Sequence, residues 1–336
     1  MPYDNNPYNF VPILWGSIPH RNDPAGHDKY SGKTGKIVCS LTTEGPIFIP
    51  SNFPCDQDRQ QGHAIMRKFC YRRENEREIK IIPGSSLKGV IRSIAEAAAN
   101  SCLSKFDGGH LDNSFRACNN LQALCITCRL FGMLNSDNFK GNVNFSDARG
   151  INVQEMPPKL IPALMNPKPQ HTAFYIRNGR LAGRKFYYHF NPIFQLINNR
   201  NRYNKTIKPI DASSQFEFNI DFENLTDEEF KILIYSLVLE DNMRHKIGMG
   251  KPVGLGSVKI SIEQISFYNT DNFDFEAKSD TEKNNIINEA RQAYNGSAAN
   301  LQALRDILHW PPQNNNREYP DQAWFAENHD TPLGNP

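Results

Sequence analysis

Residues 245–260 read HKIGMGKPVGLGSVKI, with four glycines (Gly248, Gly250, Gly254 and Gly256) inside nine residues. Before this stretch, TDEEFKILIYSLVLEDNM places apolar residues at helical spacing behind a Thr226 cap and an acidic first turn. After it, GSVKISIEQISF alternates in the manner of a strand. The segment is therefore a glycine-rich passage from a helix into a strand. Glycine reaches positive φ and lets the backbone approach a ligand closely. Lys246 and Lys251 flank the glycines, so backbone N–H groups and ammonium heads together suit a phosphate. A plain flexible turn is the alternative reading of the segment alone.

Working outward, SQFEFNIDFENL and KIVCSLTTEGPIFIP (36–50) alternate and read as strands, and REIKIIP (77–83) is a shorter one. GSSLKGVIRSIAEAAANSC opens a helix capped by Ser85 or Ser86, with Leu87, Ile91, Ile94 and Ala98 on one face. NVNFSDA (142–148) is a further strand, and HTAFYIRNGRLAGRKFYYHF (171–190) is a hairpin with Asn178–Gly179 as a turn. Strand–helix–strand, an inserted region, then strand–helix–strand is the order of an α+β sheet of the ferredoxin-like or RRM-like kind. The expected organisation is an N-terminal extension (1–35), a main domain (36–268) and a helical C-terminal extension (269–336). Insertions are expected at about 103–141 and 156–210, and the PPQNNNREYPDQ tail is expected to lack fixed structure.

The chain has 336 residues, 39% of them hydrophobic, and no apolar run long enough to span a membrane. Its first twenty residues lack the basic-then-apolar pattern of a secretory signal, so a cytoplasmic location is expected. Seven unevenly spaced cysteines argue against a disulfide scaffold and for metal ligation. The net charge is only +2, yet no acidic residue lies between Glu155 and Asp211. That stretch holds ten Lys and Arg residues, among them Arg177, Arg180, Arg184 and Lys185, interleaved with Phe174, Tyr175, Phe186, Tyr187, Tyr188 and Tyr203. Cations for phosphates and rings for stacking bases are the ingredients of single-stranded nucleic-acid binding.

Three pieces, IPGSSLKGVIRS, CRLFG and GMGKPVGLGSV, together resemble the RAMP superfamily of CRISPR-associated proteins. The further stretches PYNFVPI, GRKFYYHF and LHWP resemble a subgroup from type III-D effector loci. The resemblance implies an RRM-like fold with a zinc-knuckle insertion and a β-hairpin thumb. It also implies a backbone-type subunit lying along a guide RNA, beside other RAMP-type subunits and a large subunit, with complementary target RNA paired to the guide. By the same resemblance PGSSLKG faces the guide phosphates, with Ser85, Ser86 and Lys88 as donors at a helix N-terminus, where unpaired N–H groups favour an anion. Arg92, one turn later, is expected on the same phosphate track.

His110, Cys118, Cys125 and Cys128 lie in one short insertion, HLDNSFRACNNLQALCITC. The CxxC pair suits one side of a tetrahedral structural Zn2+, with Cys118 and His110 for the other side and Cys102 as the substitute for His110. Buried, inert cysteines on a helix are the alternative.

Backbone subunits of the family often cut target RNA with an aspartate in the loop after the first strand, through Mg2+-assisted attack of the ribose 2′-OH. Here PSNFPCDQDRQQGHAIMRK supplies Asp58 and Asp56, with His63 as acid or base, and Asp28 as an alternative earlier in the chain. A rival reading is a metal-independent endoribonuclease that processes precursor guide RNA with His27, Tyr30, His63 and His189. A third keeps RNA binding without cleavage.

Overall fold

The computed structural model describes residues 5–54, 64–104, 106, 108–134, 137–164, 175–201 and 203–328. Its centre is an antiparallel sheet built around β1 (Lys33–Thr43), whose Ile37, Cys39 and Leu41 point into the core while the residues between them do not. Along the chain follow β2 (Tyr71–Glu74), β3 (Arg77–Ile82), α1 (Gly84–Ala98), α2 (Ile126–Phe131), β4 (Val143–Phe145) and β5 (Ala148–Asn152). Then come β6 (Gln215–Leu225), α3 (Asp227–Val238), β7 (His245–Lys246), β8 (Ser257–Asn269) and β9 (Asp274–Ala277). The helices α4 (Asp280–Ala293), α5 (Ala299–Ile307) and α6 (Gln322–Glu327) complete the set.

The strand order is β7-β8-β1-β6-β5-β3-β2, with β4 added to β6 and β9 to β8. β1 is central, with Ile37 opposite Ile220 on one side and Ile265 on the other. Phe216, Phe218, Ile220 and Phe222 of β6 alternate onto the same buried side. The apolar faces of α1 and α3 cover that side, since Leu87, Ile91, Ile94, Phe230, Leu233 and Leu237 belong to one core cluster with the strands. α3 begins where expected: Thr226 and Glu229 form a reciprocal capping box.

Four details depart from the sequence reading. The strand expected over 36–50 ends at Thr43, because the N–H groups of Glu44 and Gly45 turn to Ser257 O. Strand Pro50–Pro54 then joins a separate sheet with Ala64–Phe69. Neither Ser85 nor Ser86 caps α1: Pro83 occupies the cap position, and the Gly84 N–H donates to Asp147 Oδ1 at 2.9 Å. The hairpin is short, pairing Ile176–Arg177 with Arg180–Leu181 around left-handed Asn178 and Gly179 (φ 50° and 74°). Arg184–Tyr187 pairs instead with Tyr8–Val11 of the N-terminal segment. The described part of the tail packs on the body. The Glu318 N–H reaches Asn5 O at 2.8 Å, and the Arg317 guanidinium lies 3.4 Å above the Tyr188 ring.

The glycine-rich connection is built on left-handed backbone. Gly256 has φ +100°, and a Cβ there would stand 2.3 Å from Ile247 O. Gly256→Ala is therefore expected to cost more than about 2 kcal/mol in urea unfolding, since both backbone and neighbour must shift. Gly179→Ala, at φ +74° with open space around it, should cost only about 1 kcal/mol.

Candidate functional site

The first turn of α1, the glycine-rich connection and strand Arg184–Tyr187 meet around one cleft of about 550 Å³. Ser85, Ser86, Gly89 and Ser93 come from α1, Lys246, Gly248 and Lys251 from the connection, and Lys185, Phe186 and Tyr187 from the strand. Because Asp147, itself paired with Arg72 at 2.6 Å, takes the Gly84 N–H, the two serine side chains are not needed as caps. The connection holds its lysines in place. Gly250 and Gly254, both left-handed, flank the short turn Lys251–Val253. Lys246 Nζ donates to Gly254 O (2.9 Å) and Leu255 O (3.1 Å), and Lys251 Nζ donates to Gly248 O (2.8 Å).

Among the described residues lining the cleft there is no Asp or Glu. Burial, with Lys251 beside it, brings the Lys246 ammonium down to about 7. Burial also lowers Lys251, and it brings Lys185 down to about 8. Lys185 Nζ sits 3.6 Å from the Tyr8 ring centroid, with the Tyr175 and Tyr187 rings beyond it.

Not every expected RNA contact lies here. Lys88 and Arg92 occupy the other flank of α1, by a smaller pocket of about 250 Å³ that Lys140, Cys118 and Cys128 also line. Arg92 is engaged inside the protein, donating to Glu96 (2.8 Å), Gly132 O (2.9 Å) and Cys128 Sγ (3.5 Å). Arg184 is buried and donates to Ser101 O. Arg177 and Arg180 stack on Phe10 and Trp15 of the N-terminal segment. The acid-free stretch thus spends much of its charge on packing, and only Lys185 of these four residues reaches the cleft.

The insertion brings together Cys102, Cys118, Cys125 and Cys128, all buried, with their Sγ atoms within 4.8 Å of one another. Cys102 Sγ lies 3.6 Å from Cys128 Sγ and 3.5 Å from Cys125 Sγ. Four thiolates at 2.3 Å from a tetrahedral zinc stand about 3.8 Å apart, so this donor set fits a structural metal such as zinc. Hydrogen bonding with Cys102, Cys118 and Cys128 holds the Cys125 thiol well below its usual range. His110 is not part of the group. Its imidazole is exposed, with Nδ1 3.1 Å from Gly179 O, while Cys102, just past the end of α1, supplies the fourth sulfur. Among the described residues this is the one group of three or more Cys, His, Asp or Glu side chains close enough to hold a metal ion.

The family model of the RAMP superfamily matches residues 40–259, a span that contains all four cysteines and every cleft residue named above. The chain belongs to the RAMP superfamily. No curated protein matches it. Membership makes it a CRISPR-associated RNA-binding subunit. Among the described residues of this RAMP protein, no helix is long and apolar enough to cross a membrane.

Its structure explains CRLFG. Cys128 belongs to the thiol group, and buried Arg129 pairs with Glu229 of α3 and donates to Leu124 O at 2.8 Å. Leu130 and Phe131 enter the core, and left-handed Gly132 ends α2. PYNFVPI and GRKFYYHF pair strand to strand, and Trp310 of LHWP sets its edge against His189 with ring centroids 5.4 Å apart.

Of the nuclease candidates, Asp56, Asp58 and His63 lie outside the described residues. His189 is buried between Ser257 Oγ (2.8 Å) and Arg244 O (3.0 Å), and desolvation holds it well below the usual imidazole range. His27 pairs with Glu223, and Tyr30 stacks on Tyr268. Ser257 and Tyr268 stand eleven residues apart on β8, about 36 Å along an extended strand. His189 therefore cannot join His27 and Tyr30 in one catalytic group. Asp28 lies in the exposed loop beside His27.

Proposed function

We propose that this RAMP protein is a guide-RNA-binding backbone subunit of a type III CRISPR effector, with an RRM-like core. The cleft between α1, the glycine-rich connection and strand Arg184–Tyr187 takes the guide phosphates. The observation that carries this reading is the convergence of Lys185, Lys246 and Lys251 with Ser85 and Ser86 around one cavity whose described lining holds no acid. Ammonium heads and serine hydroxyls supply donors for phosphate oxygens, and Phe186 and Tyr187 supply faces on which bases stack. None of these groups reads a base edge. Sequence choice then falls to pairing between guide and target RNA, with the protein gripping backbone and shape. The strand order β8-β1-β6-β5, with α1 and α3 on one face, supports the RRM-like reading.

The partners proposed are the guide, its complementary target, further RAMP-type subunits and a large subunit. The four-cysteine group is proposed as a structural zinc site that orders the insertion beside α1. Target cleavage, if this subunit performs it, is proposed for Asp58 or Asp56 with Mg2+ and His63.

The test is salt dependence. Each lost phosphate contact to a single strand should flatten the log Kd against log salt slope by about 0.7. Lys251→Gln is expected to flatten it by that amount, and Lys246→Met with Lys251→Gln by about twice as much. Arg177→Ala with Arg180→Ala, which removes cations packed on aromatic rings, should leave the slope unchanged. A wild-type slope in the Lys246, Lys251 variant would place the RNA elsewhere.

A further inference from the structure

Among the described residues, the cleft gathers three amines and gives them no counter-ion. Lys246 and Lys251 rest on backbone carbonyls, which solvate an ammonium without neutralising it. Lys185 rests on the rings of Tyr8, Tyr175 and Tyr187, whose phenols are pushed above their ordinary range by burial and so stay uncharged. The other described charged or titratable groups nearby offer no negative charge either. His189, behind Lys246, is kept neutral by desolvation and by Lys246 itself. Arg244 is spent on Glu44 at 2.7 Å. Asp147, at the head of α1, is taken by Arg72 and the Gly84 N–H. α5 adds only the Leu308 side chain beyond its end, and the chain at 49–50 adds Ile49 and Pro50. Buried cations without a partner lose protons to water more readily than exposed ones. This agrees with the lowered values of all three lysines.

We propose that RNA phosphates enter this cleft together with protons, which the lysine amines accept from solvent as the anion supplies a counter-charge that none of the described lining residues provides. The inference rests on the RNA reading above and adds a regulation to it: the grip on RNA weakens as pH rises through the neutral range. Each step is a protonation of R–NH2 to R–NH3+, with no other bond made or broken. Well below pH 7 the amines already carry their protons and binding takes up few. Above it, each amine that must be recharged costs up to tenfold in affinity per pH unit. The ligand this favours is a segment with more than one negative charge in reach, such as adjacent phosphodiesters, over an isolated anion.

Isothermal titration of oligoadenylate RNA into the full chain at pH 8.5, in two buffers of different ionisation enthalpy, tests this directly. Neither histidine nor adenine exchanges protons there. Roughly one to two protons should be taken up per RNA bound, and Kd should weaken roughly 100-fold between pH 7 and pH 9. Lys185→Arg, whose guanidinium stays charged throughout, should bind at pH 8.5 with about one proton fewer. Identical heats in the two buffers, with RNA bound through Lys246 and Lys251, would overturn proton coupling and leave the RNA reading standing. Binding indifferent to the Lys246→Met, Lys251→Gln change would overturn both.

Discussion

Cys102→Ser should strip the metal from the purified protein, whereas His110→Ala should leave it in place. Elemental analysis is expected to fall from about one zinc per chain to near zero in the first variant and to stay near one in the second. The reason is geometric: Cys102 Sγ stands 3.5–3.6 Å from two other sulfurs, and the His110 ring lies outside the group against Gly179 O. A structural zinc contributes roughly 10 kcal/mol or more to the order of the segment that holds it. Loss should therefore melt the insertion, detected as fast amide exchange over residues 108–134, while the sheet around β1 keeps its protection. Arg92 and α1 border the same sulfurs, so the melted insertion should also expose the flank of α1 that carries Lys88. Equal zinc in Cys102→Ser and wild type would mean that His110 or another donor completes the site.

The pattern of what was legible in the sequence follows from how local each signal is. β6 and β8 could be read directly, because Phe216, Phe218, Ile220 and Phe222 alternate into the core without help from anything distant. α3 announces itself through Thr226 and Glu229, three residues apart. The helix cap at Gly84 could not be read, since its acceptor, Asp147, is brought there by β5 pairing with β3. The same holds for the basic stretch. Composition shows the arginines but not that Tyr8–Val11 would pair with Arg184–Tyr187 and draw Arg177, Arg180 and Lys185 onto aromatic rings. Cys125 and Cys128 were legible from CxxC spacing and Cys118 from its place in the same insertion, whereas Cys102, read only as a substitute for His110, depends on where α1 ends. The glycines mark the candidate cleft for a partly different reason. Gly248 and Gly256 are needed because their own chain packs against Phe48 O and Ile247 O, and that packing is what sets the lysines in the cleft.

Removing the Arg129 charge alone should be the most damaging single change to the core outside the cysteines. Arg129→Met is expected to lower unfolding free energy by about 3–5 kcal/mol, because it leaves the buried Glu229 carboxylate without its partner. Glu229→Gln should also destabilise, this time by stranding the guanidinium, although glutamine can still complete the capping box with Thr226. Combining the two should recover most of the loss, since a methionine beside a neutral amide buries no charge. The double variant is thus expected to be more stable than Arg129→Met alone, with a coupling energy on the order of 2 kcal/mol or more in denaturant titrations. Strictly additive losses would mean that the pair does not act as one unit. The consequence reaches the metal site, because Arg129 also anchors Leu124 O, one residue before Cys125, and its own carbonyl receives the Asn142 N–H at 3.1 Å. Arg129→Met should accordingly lose zinc to a chelator faster than wild type, and the double variant should stay faster too, since the Leu124 contact is missing in both.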